Sequence, residues 1–365
     1  MQKFAFVIHP IDVRRDMARK YPLALFAPEP LIAAILPRIK PKIVSHITGV
    51  KSEQPLTETE GWFIVCPLTP KQLLSLPTEV VYKKLIECGR LAESMGAGIM
   101  GLGALTSVVG DGGITIAKSL NIAVTTGNSY TVATAVEGAI RGADLMGTPM
   151  KEATVAIVGA AGSIGRTCAL LLAPEAEKIV LVGRHVDRLE PVAREIEAIP
   201  GHAVVTVTDD ITEGLKNADV VVTVTSAADA VILPHHLKKG AVVCDVARPR
   251  DVSVRVAKER NDVLIIEGGL VSVPGPDLDF GFDFGFPPKT AYACMSETMM
   301  LALDSAETGE YKSFTLGKEV SADQAKTMQR LAKKHGFRLG GFRSFEKAVE
   351  EEDIAAVRRA AGRVK

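Results

Sequence analysis

The sequence has no excess of charge of either sign. Its 365 residues carry 43 lysines and arginines against 43 aspartates and glutamates, so the formal net charge is zero. A long basic run is also missing, which removes the usual electrostatic basis for binding DNA or RNA. We therefore expect no nucleic-acid partner.

Long apolar runs are absent as well. No stretch approaches the ~18–20 apolar residues of a membrane span, and the apolar run at 4–8 is too short for a signal-peptide core. The sequence predicts a soluble, cytoplasmic protein and leaves peripheral contact with a membrane surface open.

Cysteine is scarce, odd in number and widely spaced. The five cysteines contain no Cys-x-x-Cys pair, and the seven histidines form no metal-binding spacing with them. No disulfide framework and no metal site is therefore predicted. In a reducing compartment these residues are thiols, most of them small buried side chains. They are Cys66, Cys88, Cys168, Cys244 and Cys294.

The sequence does contain the pattern of an α/β protein. Six short apolar runs rich in β-branched residues are spaced as in a doubly wound parallel sheet. For six such strands we expect the spatial order 3-2-1-4-5-6. The runs are 154–158, 178–182, 202–208, 218–227, 240–247 and 262–269.

The predicted architecture has three parts. Residues 1–150 form an N-terminal α/β domain with substrate-binding and catalytic groups, and 151–285 form the six-stranded Rossmann domain. Residues 286–365 form a helical segment that rejoins the first domain, followed by a charged helical tail that is a surface element or an oligomer contact. A helix is also expected over 12–21.

A glycine-rich turn follows the first run of the central domain. Its spacing, GxxGxxG, is a variant of the dinucleotide motif, in which glycines let a pyrophosphate approach the amides of a helix N-terminus. Any tight strand-to-helix turn can use glycines, but here strand, turn, helix and strand follow in the order that the motif requires. The expected cofactor-binding residues are Gly159, Ala160, Ala161, Gly162, Ser163, Ile164 and Gly165.

Three further residues refine the cofactor prediction. Arg184 follows the second run, where NAD sites carry an acidic residue, and an arginine there suits the 2′-phosphate of NADPH. The alternative is a solvated surface arginine. Ser226 and Ala227 end the fourth run, and their small size would let the nicotinamide ribose come close. They are equally typical of a plain turn. The predicted cofactor is NADPH.

A polar turn at 125–130 lies between a predicted strand and a predicted helix, a natural place for a ligand. Thr126, Asn128 and Tyr130 are the candidate substrate-binding residues. Capping of the helix by Asn128 or Ser129 is the alternative, although capping accounts for one polar residue of the cluster and not for all of them.

Four phenylalanines alternate with glycine and aspartate before the last apolar helix. In an extended segment this period of two puts all four rings on one face. That face either packs on the core, which is the favoured interpretation, or lines a pocket for a long apolar substrate. The rings belong to Phe280, Phe282, Phe284 and Phe286.

One cysteine falls near the predicted start of a helix. Pro287 and Pro288 are helix-start signals, and Thr290 is a candidate N-cap. Cys294 then lies in the first turns, where the helix dipole favours a thiolate. Glu297 follows on the same face. On spacing alone a packed core thiol is the favoured interpretation, whereas a cysteine near a hydride donor indicates acyl transfer to sulfur followed by reduction.

Six stretches, in this order, extend over nearly the whole chain: SHITG, GLGALTSVV, TTGNSYTVA, ATVAIVGAAGSIG, AYACMSETMMLAL and KHGF. Together they resemble the cyanobacterial long-chain fatty acyl-[acyl-carrier-protein] reductases, which form fatty aldehydes. The resemblance implies that Cys294 is the acylated cysteine, and that the glycine motif with Arg184 forms an NADPH site.

More distantly, the chain resembles shikimate dehydrogenase and glutamyl-tRNA reductase. It has no Lys–Asp pair of the shikimate kind, and the residues around Cys66 do not match the N-terminal nucleophile of glutamyl-tRNA reductase. The phenylalanine-rich stretch and the longer tail depart from the cyanobacterial pattern, which leaves the acyl length and the carrier open.

The leading functional prediction is NADPH-dependent reduction of acyl-ACP or acyl-CoA to an aldehyde through an acyl-Cys294 intermediate. Glu297 would tune the thiol or relay a proton, or it is structural. One alternative is an NADP-dependent dehydrogenase acting on a small hydroxy- or amino acid without covalent catalysis. The other is a non-catalytic dinucleotide-binding protein. Assembly into a homo-oligomer is left open.

Overall fold

The computed structural model describes residues 1–10, 14, 26, 28–227, 229–283 and 285–363. Apart from Arg14, the helix predicted over 12–21 lies outside the described residues, as does Phe284.

The strands and helices are numbered along the chain. The strands are β1 (Gln2–Ile8), β2 (Lys42–Lys51), β3 (Glu58–Val65), β4 (Ile99–Leu102), β5 (Ala123–Thr125), β6 (Thr154–Val158), β7 (Lys178–Val182), β8 (Val204–Thr208), β9 (Val220–Thr223), β10 (Val242–Asp245), β11 (Leu264–Glu267), β12 (Leu270–Ser272), β13 (Thr290–Tyr292), β14 (Arg338–Leu339), β15 (Phe342–Ser344) and β16 (Lys347–Val349). The helices are α1 (Glu29–Ile35), α2 (Pro70–Ser75), α3 (Thr78–Ser94), α4 (Ile114–Lys118), α5 (Asn128–Leu145), α6 (Ser163–Leu172), α7 (Val186–Glu197), α8 (Ile211–Leu215), α9 (Val254–Glu259), α10 (Ala293–Thr308), α11 (Ala322–His335) and α12 (Glu351–Ala360).

The chain divides into two compact units, each made of three segments. The first comprises Met1–Gly127, Val273–Glu319 and Arg330–Arg338, and the second comprises Asn128–Ser272, Val320–Gln329 and Leu339–Lys365. The sequence predicts three functional domains with limits 1–150, 151–285 and 286–365. Compact units are a geometric division of the chain, so these functional limits stay a prediction. The compact units instead group α5 with the central sheet and divide the C-terminal region.

The first unit is built on a five-stranded sheet in the order β2-β3-β1-β4-β5. Four of its strands are mutually parallel, namely β3, β1, β4 and β5. The edge strand β2 is antiparallel to β3. Side chains alternate along β1, so Ala5 and Val7 join a core cluster with Val81 and Leu85 of α3. Helix α10 packs against β1 and β4.

The approach of α10 to this sheet depends on a small residue in β4. A β-carbon at Gly101 would lie 2.1 Å from Thr298 Oγ1 and 2.5 Å from the ring of Phe6. Since real β-carbons do not come so close to other atoms, glycine at 101 lets the helix that carries Cys294 pack on the strand.

The second unit contains the predicted dinucleotide-type sheet. Its six strands are all parallel and lie in the order β11-β10-β9-β6-β7-β8. Counted from β6, this is the expected order 3-2-1-4-5-6 read from the other edge. The predicted α/β fold class and strand order are confirmed. Valines, isoleucines and leucines fill the strands because helices cover both faces of a parallel sheet.

The C-terminal region contains more β-structure than its charged sequence predicts. β15 and β16 form an antiparallel hairpin before α12, and β15 lies against β11. Phe342 and Arg343 are buried there. The predicted helical character of the tail is confirmed for α11 and α12, whereas residues 342–349 form strands because tertiary packing overrides local propensity there. Within the described residues, no helix combines the length and apolar character needed to cross a membrane.

Candidate active site

Cys294 occupies the second position of α10, in the first unit. The helix begins at Ala293 with Tyr292 as N-cap, and Thr290 belongs to β13. Thr290 is thus not the cap that the sequence predicts, because the extended chain continues to Tyr292. The position of Cys294 in the first helical turn is confirmed.

Three backbone amides are directed at the Cys294 sulfur. They belong to Met295, to Cys294 itself and to Ala104, and each favours the thiolate. The first two are among the amides that a helix start leaves without intrahelical partners. Ala104 follows β4 and has a φ of 49°, a left-handed conformation that costs energy in a residue with a side chain. The sulfur therefore faces donors from two separate parts of the first unit.

Gly127 packs directly on Cys294. It follows β5 with a φ of 74°, and a β-carbon placed on it would lie 2.3 Å from Cys294 Cβ and 2.4 Å from Cys294 Cα. Any larger residue would push the cysteine aside. Gly127 was not singled out as a site residue in the sequence, although its place in TTGNSY, between two candidate ligands, was a usable signal.

The Cys294 thiol is protonated at neutral pH. Desolvation by burial raises its pKa to about 12, and the negative charge of Glu297 adds to the rise, while the three amides oppose it. The helix start favours the thiolate as the sequence predicts, but desolvation outweighs its amides, so the pKa is raised and not lowered. The residue as a whole is nevertheless only partly buried.

The other four cysteines are fully buried, and all five lie in the described part of the chain. Burial raises the pKa of Cys168 to about 12 and raises the pKa of Cys244 further. Cys66 neighbours Cys88, whose pKa is raised well above the usual value, first by burial and then by the Cys66 thiol. Cys294 is therefore the one cysteine of the described chain that is not a fully buried residue.

Glu297 is fully buried and lies three residues after Cys294 on α10. Its Oε1 accepts hydrogen bonds from Thr125 Oγ1 at 2.5 Å and from Thr315 Oγ1 at 2.9 Å. The carboxylate therefore connects α10 to the end of β5 and to the segment that follows the helix. Thr315 has a φ of 50°, and sequence reasoning missed it because nothing local marks a residue 18 positions after its partner.

The three candidate substrate residues have different surroundings. Thr126 is buried, and its hydroxyl donates to the backbone carbonyl of Thr315 at 2.5 Å. Asn128 is partly buried as the first residue of α5. Tyr130 is buried, which with the charge of Glu137 raises the pKa of its phenol. Thr126 thus holds the backbone in place, and substrate binding by these residues stays a prediction.

The glycine turn of the second unit has the geometry that a dinucleotide site needs. Gly159 has a φ of 86°, and a β-carbon there would lie 2.5 Å from Val224 O. At Gly165 it would lie 2.4 Å from Gly159 O, and Gly162 is the N-cap of α6. The backbone is thus exposed where a pyrophosphate would approach, beside the free amides of a helix start.

Ser163 supplies an independent sign of a ligand at this turn. Its hydroxyl oxygen is buried and has no hydrogen-bond partner among the described residues. A buried hydroxyl without a partner costs free energy, which a phosphate oxygen would recover. The residues at this turn therefore fit a nicotinamide dinucleotide. Ala160 is buried, Ile164 is partly buried, and Ala161 faces solvent.

Asp251 holds the loop that carries Ser226 and Ala227. Asp251 is fully buried, and its carboxylate accepts from Thr223 Oγ1 at 2.6 Å, from Thr225 N at 2.8 Å and from Thr225 Oγ1 at 2.5 Å. Thr225 Oγ1 also accepts from Ala227 N at 3.1 Å. The loop is therefore ordered, with Ser226 exposed. Sequence reasoning missed Asp251, which looks like an ordinary loop acid.

Arg184 follows β7, at the end of the sheet where the glycine turn lies. It is exposed, and none of the ion pairs among described residues includes it. A guanidinium that no carboxylate occupies can bind an anion. The position thus agrees with the predicted one, and the preference for NADPH stays a prediction.

Comparison with known proteins places the fold in a class. Residues 143–267 match the shikimate / quinate 5-dehydrogenase family. This match agrees with the sheet order and the glycine turn, which give the second unit a Rossmann-like fold similar to that of NAD(P)-dependent oxidoreductases.

Relatives that align with most of this chain share less than 30% sequence identity with it. The chain is 29% identical over 303 residues to aminotransferase PigE of Serratia sp., covering 82% of this chain and 35% of that protein, so it spans about a third of that relative's length. It is 24% identical over 316 residues to the long-chain acyl-[acyl-carrier-protein] reductase of Synechococcus elongatus, covering 81% of this chain and 87% of that protein. L-tryptophan dehydrogenase from Nostoc punctiforme is similar in structure with a TM-score of 0.41 and 12% identity, covering 99% of this chain and 87% of that one.

Proposed function

We propose that the protein is an NADPH-dependent acyl-thioester reductase that converts long-chain acyl-ACP or acyl-CoA to an aldehyde through an acyl-Cys294 intermediate. The observation that carries the proposal is the setting of Cys294, a partly buried residue at a helix N-terminus with three amides directed at its sulfur. The similarity to the Synechococcus reductase over most of both chains supports it.

The first half of the reaction is acyl transfer to sulfur. Cys294 loses its proton, its sulfur bonds to the acyl carbon, and the bond from that carbon to the carrier sulfur breaks, so that the carrier leaves as a thiol with one proton. In the tetrahedral intermediate, negative charge develops on the oxygen, which is bonded to the same carbon as the cysteine sulfur. The amides of Ala104 and Met295, which already face the sulfur, are the groups we assign to stabilise it.

Proton removal is the difficult step, because the pKa of the thiol is raised to about 12. Glu297 is the carboxylate one turn along the same helix, held by Thr125 and Thr315, and we assign it to accept this proton. Gly127 keeps the cysteine in place throughout, since its backbone fills the space behind the β-carbon.

The second half is reduction. NADPH bound at the glycine turn would supply a hydride to the carbonyl carbon of the acyl-Cys294 thioester. The resulting hemithioacetal anion loses its carbon–sulfur bond, which releases the aldehyde and the Cys294 thiolate, and the thiolate takes up one proton from solvent. The chain's own part is to bind and orient: Ser163 and the amides at the start of α6 hold the pyrophosphate, and Arg184 pairs with the 2′-phosphate.

The proposal is tested by NADPH oxidation on acyl-CoAs and acyl-ACPs of graded length, with wild type beside Cys294→Ala. Turnover that depends on acyl length in the wild type and is lost in the variant supports the thioester mechanism. A labelled acyl group retained on the wild-type chain in the absence of NADPH, and absent from the variant, identifies the covalent step. Equal turnover by the two proteins overturns Cys294 as nucleophile.

A second candidate is an NADP-dependent dehydrogenase acting on a small hydroxy- or amino acid by direct hydride transfer. The high pKa of the Cys294 thiol favours it, as does the match of residues 143–267 to shikimate / quinate 5-dehydrogenase. It predicts that Cys294→Ala retains activity on a small alcohol substrate and that neither protein is acylated.

A further inference from the structure

A second group of chemically active side chains lies at the far end of the helix that carries Cys294. Asp304 and Glu307 stand one turn apart at the end of α10, and His335 ends α11. All belong to the first unit. One ligand atom from each of the three side chains lies within 4.8 Å of the others. Because the residues are far apart in sequence, their spacing alone predicted no metal site.

His335 has a buried ring nitrogen that faces the carboxylate of Asp304. Its imidazole is fully buried, and its Nδ1 lies 2.8 Å from Ser52 Oγ. The other ring nitrogen, Nε2, is buried without a hydrogen-bond partner among the described residues and lies 3.8 Å from Asp304 Oδ1. That distance is too long for a hydrogen bond. A buried ring nitrogen left in this way costs free energy, which a ligand between the ring and the carboxylate would recover.

Lys334 shows that the two carboxylates favour a cation. Its Nζ lies 2.8 Å from Asp304 Oδ1 and 2.8 Å from Glu307 Oε1. The lysine side chain is 34% exposed, so the ammonium can swing into solvent. It supplies one positive charge to two carboxylates, and it makes no hydrogen bond with His335 Nε2.

We propose that Asp304, Glu307 and His335 form a binding site for a divalent cation of the Zn²⁺ class, for which Lys334 competes. One imidazole nitrogen and two carboxylate oxygens suit Zn²⁺, whereas Mg²⁺ takes oxygen ligands. Zn–N and Zn–O bonds of about 2.0–2.2 Å allow two ligands of one ion to be at most about 4.4 Å apart. His335 Nε2 and Asp304 Oδ1, 3.8 Å apart, already satisfy this limit. The carboxylates would turn to the ion as it replaces Lys334.

The surrounding residues suit this role. The contact between Ser52 and Nδ1 fixes the orientation of the ring and leaves Nε2 to face Asp304, as the outer partners of metal-bound histidines do. The ion would connect the last turn of α10 to the end of α11 across the intervening segment 309–321. The site is distinct from the thiol site and does not depend on the proposed reductase activity.

The test is metal binding by the full-length protein after treatment with a chelator. Zn²⁺ is titrated calorimetrically, and the visible absorption of Co²⁺ serves as a probe of the ligand set. We expect one Zn²⁺ per chain, no Mg²⁺ binding at the same site, and a higher melting temperature with Zn²⁺. Asp304→Asn should weaken binding at least tenfold, and His335→Ala should abolish it.

The sharpest variant is Lys334→Met, which removes the competing ammonium and keeps an apolar side chain of similar length. It should bind Zn²⁺ about tenfold more tightly than wild type, while His202→Ala, a histidine outside the cluster, should bind as wild type does. If the His335 variant does not fold, the partly exposed Asp304→Asn and Glu307→Gln variants still decide the question. Stoichiometric binding that survives Asp304→Asn combined with Glu307→Gln places the ion elsewhere and overturns the proposal, as does unchanged affinity in Lys334→Met.

Discussion

Gly127 lies so close to Cys294 that a single added methyl group would come 2.3 Å from the cysteine's β-carbon. Two residues 167 positions apart in the numbering of the chain thus share one packing contact, and the thiol keeps its position because the glycine has no side chain. The same glycine has a φ of 74°, which only glycine adopts at no steric cost.

We expect Gly127→Ala to lower any Cys294-dependent activity by about 100-fold or more, because a displacement of about 1 Å at a reacting atom has an effect of that size. Initial rates and the rate of Cys294 alkylation measure it. Gly201→Ala is the matched control, since Gly201 has a φ of 70° and open space where its β-carbon would be. If both variants keep wild-type turnover, the contact between Gly127 and Cys294 does not affect activity.

Replacing Glu297 by glutamine should have two opposite effects. It removes a negative charge that raises the pKa of Cys294, so alkylation by iodoacetamide at pH 8 should become faster. It also removes the assigned proton acceptor, so turnover should fall at least tenfold. The glutamine oxygen can still accept from Thr125 and Thr315. Full turnover in Glu297→Gln would leave the residue a purely structural role.

The reactivity of Cys294 should rise steadily with pH. Because its pKa is raised to about 12, the thiolate fraction should increase about tenfold per pH unit from pH 7 to 10 with no plateau. Mass spectrometry of the alkylated peptide, with the unfolded protein as control, measures this. A plateau above about pH 9.5 would indicate an ordinary thiol with a pKa near 8.5, contrary to the effect of burial.

The same shift predicts a loss of stability in alkali. The folded pKa values of Cys168 and Cys294 are both raised to about 12, above the value of an unfolded thiol near 8.5. Their contribution to the free energy of unfolding is therefore complete below about pH 8.5 and declines as the pH rises toward 12. Urea unfolding at pH 8 and pH 10 tests this. Cys168→Ala should show a smaller decline than wild type over that interval.

Cofactor preference should depend on Arg184. We expect Arg184→Ala to weaken NADPH binding by about 10- to 100-fold and to leave NADH binding unchanged, because the guanidinium would contact only the 2′-phosphate. Fluorescence titration with both nucleotides measures the two constants. Arg194→Ala is a suitable control, since Arg194 is exposed on α7 and pairs with Glu190. Equal loss for both nucleotides would show that Arg184 does not select the phosphate.

Asp251 should matter for cofactor binding without contacting the cofactor. Asp251→Ala removes the acceptor of three hydrogen bonds from Thr223 and Thr225 and should cost about 3 kcal/mol or more of folding free energy. NADPH affinity should fall with it, since the loop carrying Ser226 loses its support. Denaturant titration measures the loss of folding free energy, and nucleotide titration measures the loss of NADPH affinity. Asp210→Ala, which removes an exposed helix cap, should cost only about 1 kcal/mol.

The sequence by itself determined the second unit. The six strands and their order follow from runs of β-branched residues separated by helix-length intervals, because a parallel sheet covered on both faces needs apolar residues throughout. The glycine turn could also be predicted from the sequence, since the steric requirement at Gly159 and Gly165 arises within one strand–helix connection. The place of Cys294 in the first turn of its helix was equally a local property.

Only the tertiary structure decided what surrounds these elements. Thr125 and Glu297 are 172 residues apart and Ser52 and His335 are 283 apart, yet each pair shares a hydrogen bond. No periodicity links such residues, because their proximity results from how strands and helices pack. The same is true of the thiol's pKa, where the sequence predicts the helix dipole but not the degree of burial. Desolvation depends on every neighbour that the fold places around the sulfur, and it is the larger effect.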